Sequence, residues 1–229
     1  MRDPVCFDIE TVRGTTNQLN LYKSVKCTRC DHNPEDHPKQ KKDYCQECDK
    51  EAPLRWTTSK IVCVTAKIVD GELFSFCGPD ELKVLSESYD LLSELVPNPW
   101  ISFNGKEFDI IQLQMRGLVH NVPYIDILPH GKYSKNSFDL YDELVGGKWN
   151  RQQAASLEMF AAILGFKDLI YGNGRMVEQW YKDGKFDEIS RHCNGDVLAT
   201  EKLYKKVVEI NKMYRKHKDL PDDVETISI

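Results

Sequence analysis

The sequence predicts an α/β domain, a mixed sheet flanked by helices, with a small cysteine-rich insertion near its start. Two observations carry the layered part. Apolar runs bounded by turn residues fall early in the chain, and apolar positions three and four apart fill its second half. The third observation is a break in composition over residues 24–56, which hold four Cys, two His, three Pro and many charges but few aliphatics. At 229 residues and 41% hydrophobic content, the chain is long enough for one such domain with a full core.

In chain order, residues 4–9 read as a buried strand. Residues 60–69 read as a second, Asp70-Gly71 as a hairpin turn, and residues 73–77 as a third strand pairing back. Pro79 opens a helix whose apolar positions are Leu82, Leu85, Tyr89, Leu92 and Leu95 with Val96. Residues 99–103 form a short strand, and a helix follows over about 107–117. Further helices are predicted over 140–145, 156–164, 176–182 and 187–214, punctuated by Gly165, Gly172-Asn173-Gly174 and Asp183-Gly184. The main domain is thus expected over residues 1–215, with the insertion inside it and a polar tail over 216–229.

Formal net charge is −5, so the chain is no bulk polycation, and nucleic-acid contact must come from local basic patches. The N-terminus runs directly into a strand, and no apolar run approaches the roughly 18 residues that span a membrane. Four of the eight cysteines fall in two C-x-x-C pairs and four are scattered in apolar or helical segments. That placement predicts a reducing, cytoplasmic setting rather than secretion.

Three segments concentrate acids. On the first strand Asp8 and Glu10 share a face, with Phe7 and Ile9 on the other. Asp109 lies in the first turn of a helix, where an acid either serves a site or complements the helix dipole. Beside it Asn104 is either a turn or N-cap residue or a donor to substrate. His192 and Asp196 stand four apart on one helix face, either a surface pair or a proton acceptor beside a fourth acid. Four acids at one point repel unless divalent cations sit among them, as a two-metal phosphodiester hydrolase requires.

In order and context these segments resemble the three motifs of the DEDD 3′–5′ exonucleases. They are most similar to the proofreading domain of family B DNA polymerases and its stand-alone relatives. Phe7-Asp8-Ile9-Glu10-Thr11 matches the first motif, Asn104-Gly105-Lys106-Glu107-Phe108-Asp109 the second, and His192-Cys193-Asn194-Gly195-Asp196 the third. The likeness extends to Ser137-Phe138-Asp139-Leu140, Ser156-Leu157-Glu158 and Leu164-Gly165-Phe166. It implies an RNase-H-like fold, which the element order also fits, and two Mg²⁺ or Mn²⁺ ions on Asp8, Glu10, Asp109 and Asp196. It further implies release of nucleoside 5′-monophosphates from a 3′ end, with Thr11, Asn104 and Phe108 holding the terminal nucleotides, although Phe108, like Phe103, is alternatively a plain core aromatic. Single-stranded DNA or frayed 3′ ends are the expected substrate, and a DNA polymerase or other replication protein the expected partner. One departure concerns His192, which occupies the position of the family's tyrosine branch with the residue type of its histidine branch. It acts either as the general base or as an orienting group for the water. The same chemistry on RNA, and a non-catalytic binding module, are the alternative functions.

In the insertion, Cys27-x-x-Cys30 and Cys45-x-x-Cys48 have ribbon-like spacing and predict one tetrahedral structural zinc. The alternatives are two disulfides or an iron–sulfur cluster, and His32 or His37 replacing a thiolate. With so few apolar residues there, metal binding would supply most of the segment's folding energy. Lys39, Lys41 and Lys42 either contact phosphates or form a solvated loop. Cys6, Cys63, Cys77 and Cys193 read as small core residues. Asp139 and Asp142 either bring acids near the site or, the simpler reading, form a helix N-cap.

Overall fold

A computed structural model describes residues 3–15, 18, 52–96, 98–129, 136–145 and 155–217. The four insertion cysteines and the tail beyond residue 217 lie outside the described residues. Among the described residues, five strands form one sheet: β1 (Val5–Arg13), β2 (Ser59–Ile68), β3 (Leu73–Cys77), β4 (Trp100–Ser102) and β5 (Ser137–Asp139), in the order β3-β2-β1-β4-β5. The first three pair antiparallel, β2 with β3 through the hairpin that Asp70-Gly71 signals, whereas β4 pairs parallel with β1 and β5 parallel with β4. Helices α1 (Glu81–Leu95) and α2 (Asp109–His120) cover one face. Helices α3 (Leu140–Val145), α4 (Leu157–Leu164), α5 (Val177–Lys182) and α6 (Phe186–His217) belong to the other side. Among the described residues, no helix is long and apolar enough to cross a membrane.

Strand alternation sorts β1 between the two faces. Val5, Phe7 and Ile9 pack with Leu85, Leu92, Ile110 and Leu113 beneath α1 and α2. Cys6 packs with Ile101, Val197 and Leu203 against α6, and Val12 with Ile189 and Cys193. Burial of each large side chain of this kind contributes about 1.5–3 kcal/mol. The β1–β2 register shifts after Glu10: Glu10 faces Cys63 and Thr11 faces Ile61, leaving Val62 as the extra residue of a bulge. Consecutive Val62 and Cys63 therefore both pack toward α5 and α6.

Two differences from the sequence reading matter. The first strand does not stop at residue 9 but continues to Arg13, whose N–H is accepted by Glu178 Oε2 at 2.9 Å. The short β5 was not expected as a strand, because three residues are too few to show a period.

Buried polar clamps hold the helices in register. Glu81 Oε2 and Oε1 accept Arg116 Nη2 and Nε at 2.5 and 2.8 Å, and Oε1 also accepts the Ile61 N–H at 2.7 Å, tying α1 and α2 to β2. On the other face, Glu201 Oε1 accepts the Asp70 N–H at 2.8 Å, and Lys205 reaches Asp70 Oδ1 at 2.5 Å, fastening α6 to the β2–β3 turn.

Candidate active site

The parallel pairing of β1 with β4 covers only Val5 and Cys6, so β1 continues past the end of β4 with one edge open. Crevices of this kind, outside the carboxyl ends of parallel strands, are where open α/β sheets bind ligands. Asp109 fills the gap: its Oδ1 accepts the Ile9 N–H at 3.0 Å, in place of a β4 carbonyl. The turn into α2 is tight. Asn104 adopts φ 67, and a Cβ on Gly105 would come within 2.5 Å of Ser102 Cβ.

Helix α6 brings the third segment across β1. His192 Nε2 lies 3.2 Å from Glu10 Oε1 and 3.9 Å from Asp196 Oδ2. Glu10, His192 and Asp196 each offer a ligand atom within 4.8 Å of the others, and so do Asp8, Glu10 and Cys193. Glu10 belongs to both sets. Asp109 stands outside them, yet its charge is the strongest that Asp8 feels. Sequence order thus becomes spatial convergence for all four predicted acids and for His192.

Cys193 is more than a core residue. Its Sγ donates to Asp8 Oδ2 at 3.3 Å, and Cys63 packs in the same cluster. All four described cysteines are free thiols.

The electrostatics fit a cation. Burial, then the charges of Asp109, Glu10 and Asp196, push the Asp8 carboxyl well above the usual carboxylate range. Burial, then Asp196, Cys63 and Asp109, do the same for Glu10. Asp109 is pushed up to about 7 by burial, against the hydrogen bond from Ile9. Asp196 is pushed up to about 6 by burial, with His192 working the other way. Oxygen donors crowded this closely fit divalent cations, which would relieve their repulsion.

A stability prediction follows from these raised values. Each acid keeps its proton in the folded protein after the unfolded chain has lost it, so its contribution is full below about pH 4 and is lost as pH rises through 6 to 7. Metal-free protein is expected to melt at lower temperature at pH 8 than at pH 5. Mn²⁺ or Mg²⁺ should raise the melting temperature clearly at pH 8 and little at pH 5, where protons occupy the carboxylates. Thermal scans at the two pH values, with and without cation, check it.

The loop after α4 orients the histidine. His192 Nδ1 lies 2.7 Å from the Tyr171 carbonyl, and Trp180 meets the ring edge-on at 6.0 Å while stacking on Tyr171 at 5.9 Å. The approach of α6 to this loop depends on Gly195, where a Cβ would lie 2.4 Å from the Leu169 carbonyl oxygen. Gly195→Ala must therefore push residues 169–171 away, at a cost of about 1–3 kcal/mol. A lower melting temperature together with reduced turnover is expected; unchanged values of both would contradict this packing.

The predicted substrate residues are placed as follows. The Thr11 hydroxyl donates to the Pro53 carbonyl at 2.7 Å. Phe108 is half-buried at the start of α2 and lines a cleft with Leu54, Trp56 and Ile111. Asn104 sits in the turn, its N–H donating to Asp139 Oδ1 at 2.8 Å. Asp139 does cap α3, accepting the Tyr141 N–H at 3.0 Å, but its second oxygen also takes the Lys106 N–H at 2.9 Å. The sequence allows Asp139 and Asp142 to come near the site but gives no sign of this bracing of the second motif.

A mixed β3-β2-β1-β4-β5 sheet with an acidic crevice beside its central strand defines the class: the fold is RNase-H-like, as in polymerase-associated exonucleases. A family model described as "Predicted 3'-5' exonuclease related to the exonuclease domain of PolB" matches residues 57–220, and the chain belongs to that family. The matched span holds Asp109, His192 and Asp196, whereas Asp8 and Glu10 precede it. The family B DNA polymerase of the hyperthermophilic archaeon Pyrobaculum calidifontis matches with a TM-score of 0.62 and 18% identity. The match covers 91% of this chain and 25% of that one, so the chain spans about a quarter of the polymerase's length. No curated protein matches the chain.

Proposed function

We propose that the chain is a divalent-cation-dependent 3′–5′ exonuclease that removes nucleotides from DNA 3′ ends, preferably single-stranded, as nucleoside 5′-monophosphates. Its setting is replication, proofreading or repair, beside a DNA polymerase or another replication protein. The observation that carries the reading is the convergence of Asp8, Glu10 and Asp196, with Asp109 on the same strand edge, at the crevice beside β1. Those four carboxylates hold Mg²⁺ or Mn²⁺. When bound, such ions lower the cost of ionising a water and stabilise charge on the phosphate and on the leaving oxygen.

The chain's own residues supply position. Ile9 and the Asp139-braced turn hold Asp109 still. Phe108, with the Trp56 ring beside it, offers aromatic surface for a base to stack on without reading sequence. Thr11 and Asn104, by the likeness of their motifs, are the further contacts for the terminal nucleotide. The test is a time course on matched single-stranded DNA, duplex DNA and RNA with Mg²⁺ or Mn²⁺. Stepwise shortening of single-stranded DNA from the 3′ end is expected; shortening of RNA alone would transfer the chemistry to RNA, and no shortening of any would overturn the reading.

Cys27, Cys30, Cys45 and Cys48 hold one structural Zn²⁺ on this reading, supported by their spacing and by the free state of the other four cysteines. Purified protein is expected to carry one zinc per chain by elemental analysis. Two disulfides and no zinc would contradict it.

A further inference from the structure

Two roles for His192 follow from the sequence, accepting a proton from water or orienting it. The geometry points to a third: we propose that His192 Nε2 is itself a ligand of the divalent cation held by Glu10 and Asp196, so that this site prefers a transition-metal dication to Mg²⁺. The proposal rests on the cation-dependent nuclease reading of the same site.

The ring's orientation is the first argument. The Tyr171 carbonyl, 2.7 Å from Nδ1, can only accept, so Nδ1 is a donor and Nε2 is the nitrogen left to meet a cation, through its lone pair in the neutral ring. Nε2 faces Glu10 Oε1 and Asp196 Oδ2, at 3.2 and 3.9 Å, and all three atoms lie within 4.8 Å of one another. Two carboxylate oxygens around one imidazole nitrogen call for a shared electrophile, a proton without the metal or the metal cation itself. A histidine ligand ordinarily donates its other N–H to a carbonyl in this way.

Burial is the second argument. His192 is 4% exposed, and Trp180 meets one side of the ring. A proton acceptor needs water at Nε2, whereas the groups nearest this atom are acids that share its ligand geometry. The aromatic support from Tyr171 and Trp180 fixes the ring where it stands. Mg²⁺ takes oxygen ligands and keeps several waters, while imidazole nitrogen suits transition metals.

The experiment uses the full chain loaded with Mn²⁺, read by pulsed electron paramagnetic resonance. Bound Mn²⁺ should show coupling to a directly bonded ¹⁴N, which becomes ¹⁵N coupling in protein labelled at histidine. The coupling should vanish in His192→Gln, or in His192→Tyr if the first variant fails to fold. Mn²⁺ should also displace Mg²⁺ at low molar excess in the native chain, and either variant should lose about tenfold or more of this preference. Bound Mn²⁺ without nitrogen coupling overturns the proposal, as does coupling that survives in a folded variant. Nuclease activity is assayed separately. Activity without coupling removes the ligand assignment alone, and coupling without activity removes the exonuclease reading alone.

Discussion

Asp8→Asn is expected to abolish nuclease activity, by at least about 10³-fold, while raising the melting temperature of the cation-free protein at pH 8. Both effects come from one carboxylate. Asp8 is held protonated first by its own burial and then by the charges of Asp109, Glu10 and Asp196 around it. Asparagine keeps the shape and an oxygen that the Cys193 thiol can still meet, but it removes a charge that the folded protein stabilises poorly without a cation. Cation binding then falls with the charge that supported it. The separation of signs makes the result informative: a merely structural acid would cost stability when neutralised. Exonuclease rates and melting curves of Asp8→Asn, with and without Mn²⁺, check both halves. A loss of stability with activity retained would place Asp8 in the framework instead.

Asp139→Ala is expected to carry the largest loss of stability, about 3 kcal/mol, or roughly 10 °C in melting temperature. The carboxylate is 1% exposed and accepts main-chain N–H groups from Asn104, Lys106 and Tyr141. Alanine leaves these donors without that acceptor at the turn that enters α2. Because Asp109 begins that helix, activity should fall too, although Asp139 itself stands outside both ligand sets. Asp139→Asn, which keeps one acceptor oxygen, should fall between alanine and the native residue. Thermal denaturation of the three proteins orders them; a shift below about 2 °C for the alanine variant would contradict the bracing role.

The parts of this fold with a strong repeat were open to reading from the sequence. Strands β2 and β3 announce themselves by apolar runs around Asp70-Gly71, and the observed turn places Asp70 at φ 61. Helix α1 shows its apolar spacing, and Asp80 caps it by accepting the Lys83 N–H at 3.2 Å. The far end of β1 does not announce itself. Thr11, Val12 and Arg13 become strand through a bulge at Val62 and an acceptor on Glu178, both remote in sequence. For β5, only the parallel pairing with β4 makes three residues a strand.

The candidate site divides in the same way. Its carboxylates were legible because their side chains carry the chemistry and their order limits the choices. The Tyr171 carbonyl that turns His192 is main chain, and any residue supplies one. The contact of Cys193 with Asp8 joins residues 185 apart, and a cysteine in an apolar helix gives no sign of it. Asp139 shows how one observation hides another. Its capping of α3 was readable from the local sequence, while its second oxygen serves a turn 33 residues earlier.

On the proposed reading, this acidic crevice cleaves single nucleotides from a 3′ end. The most direct measurement digests one single-stranded oligonucleotide in Mn²⁺, labelled in parallel at its 5′ or its 3′ end, beside the Asp8→Asn protein. The 3′ label should appear at once as a nucleoside 5′-monophosphate, while the 5′ label persists in a descending ladder and the variant leaves both intact. Immediate release of the 5′ label, internal cuts, or equal activity in the variant would contradict the account.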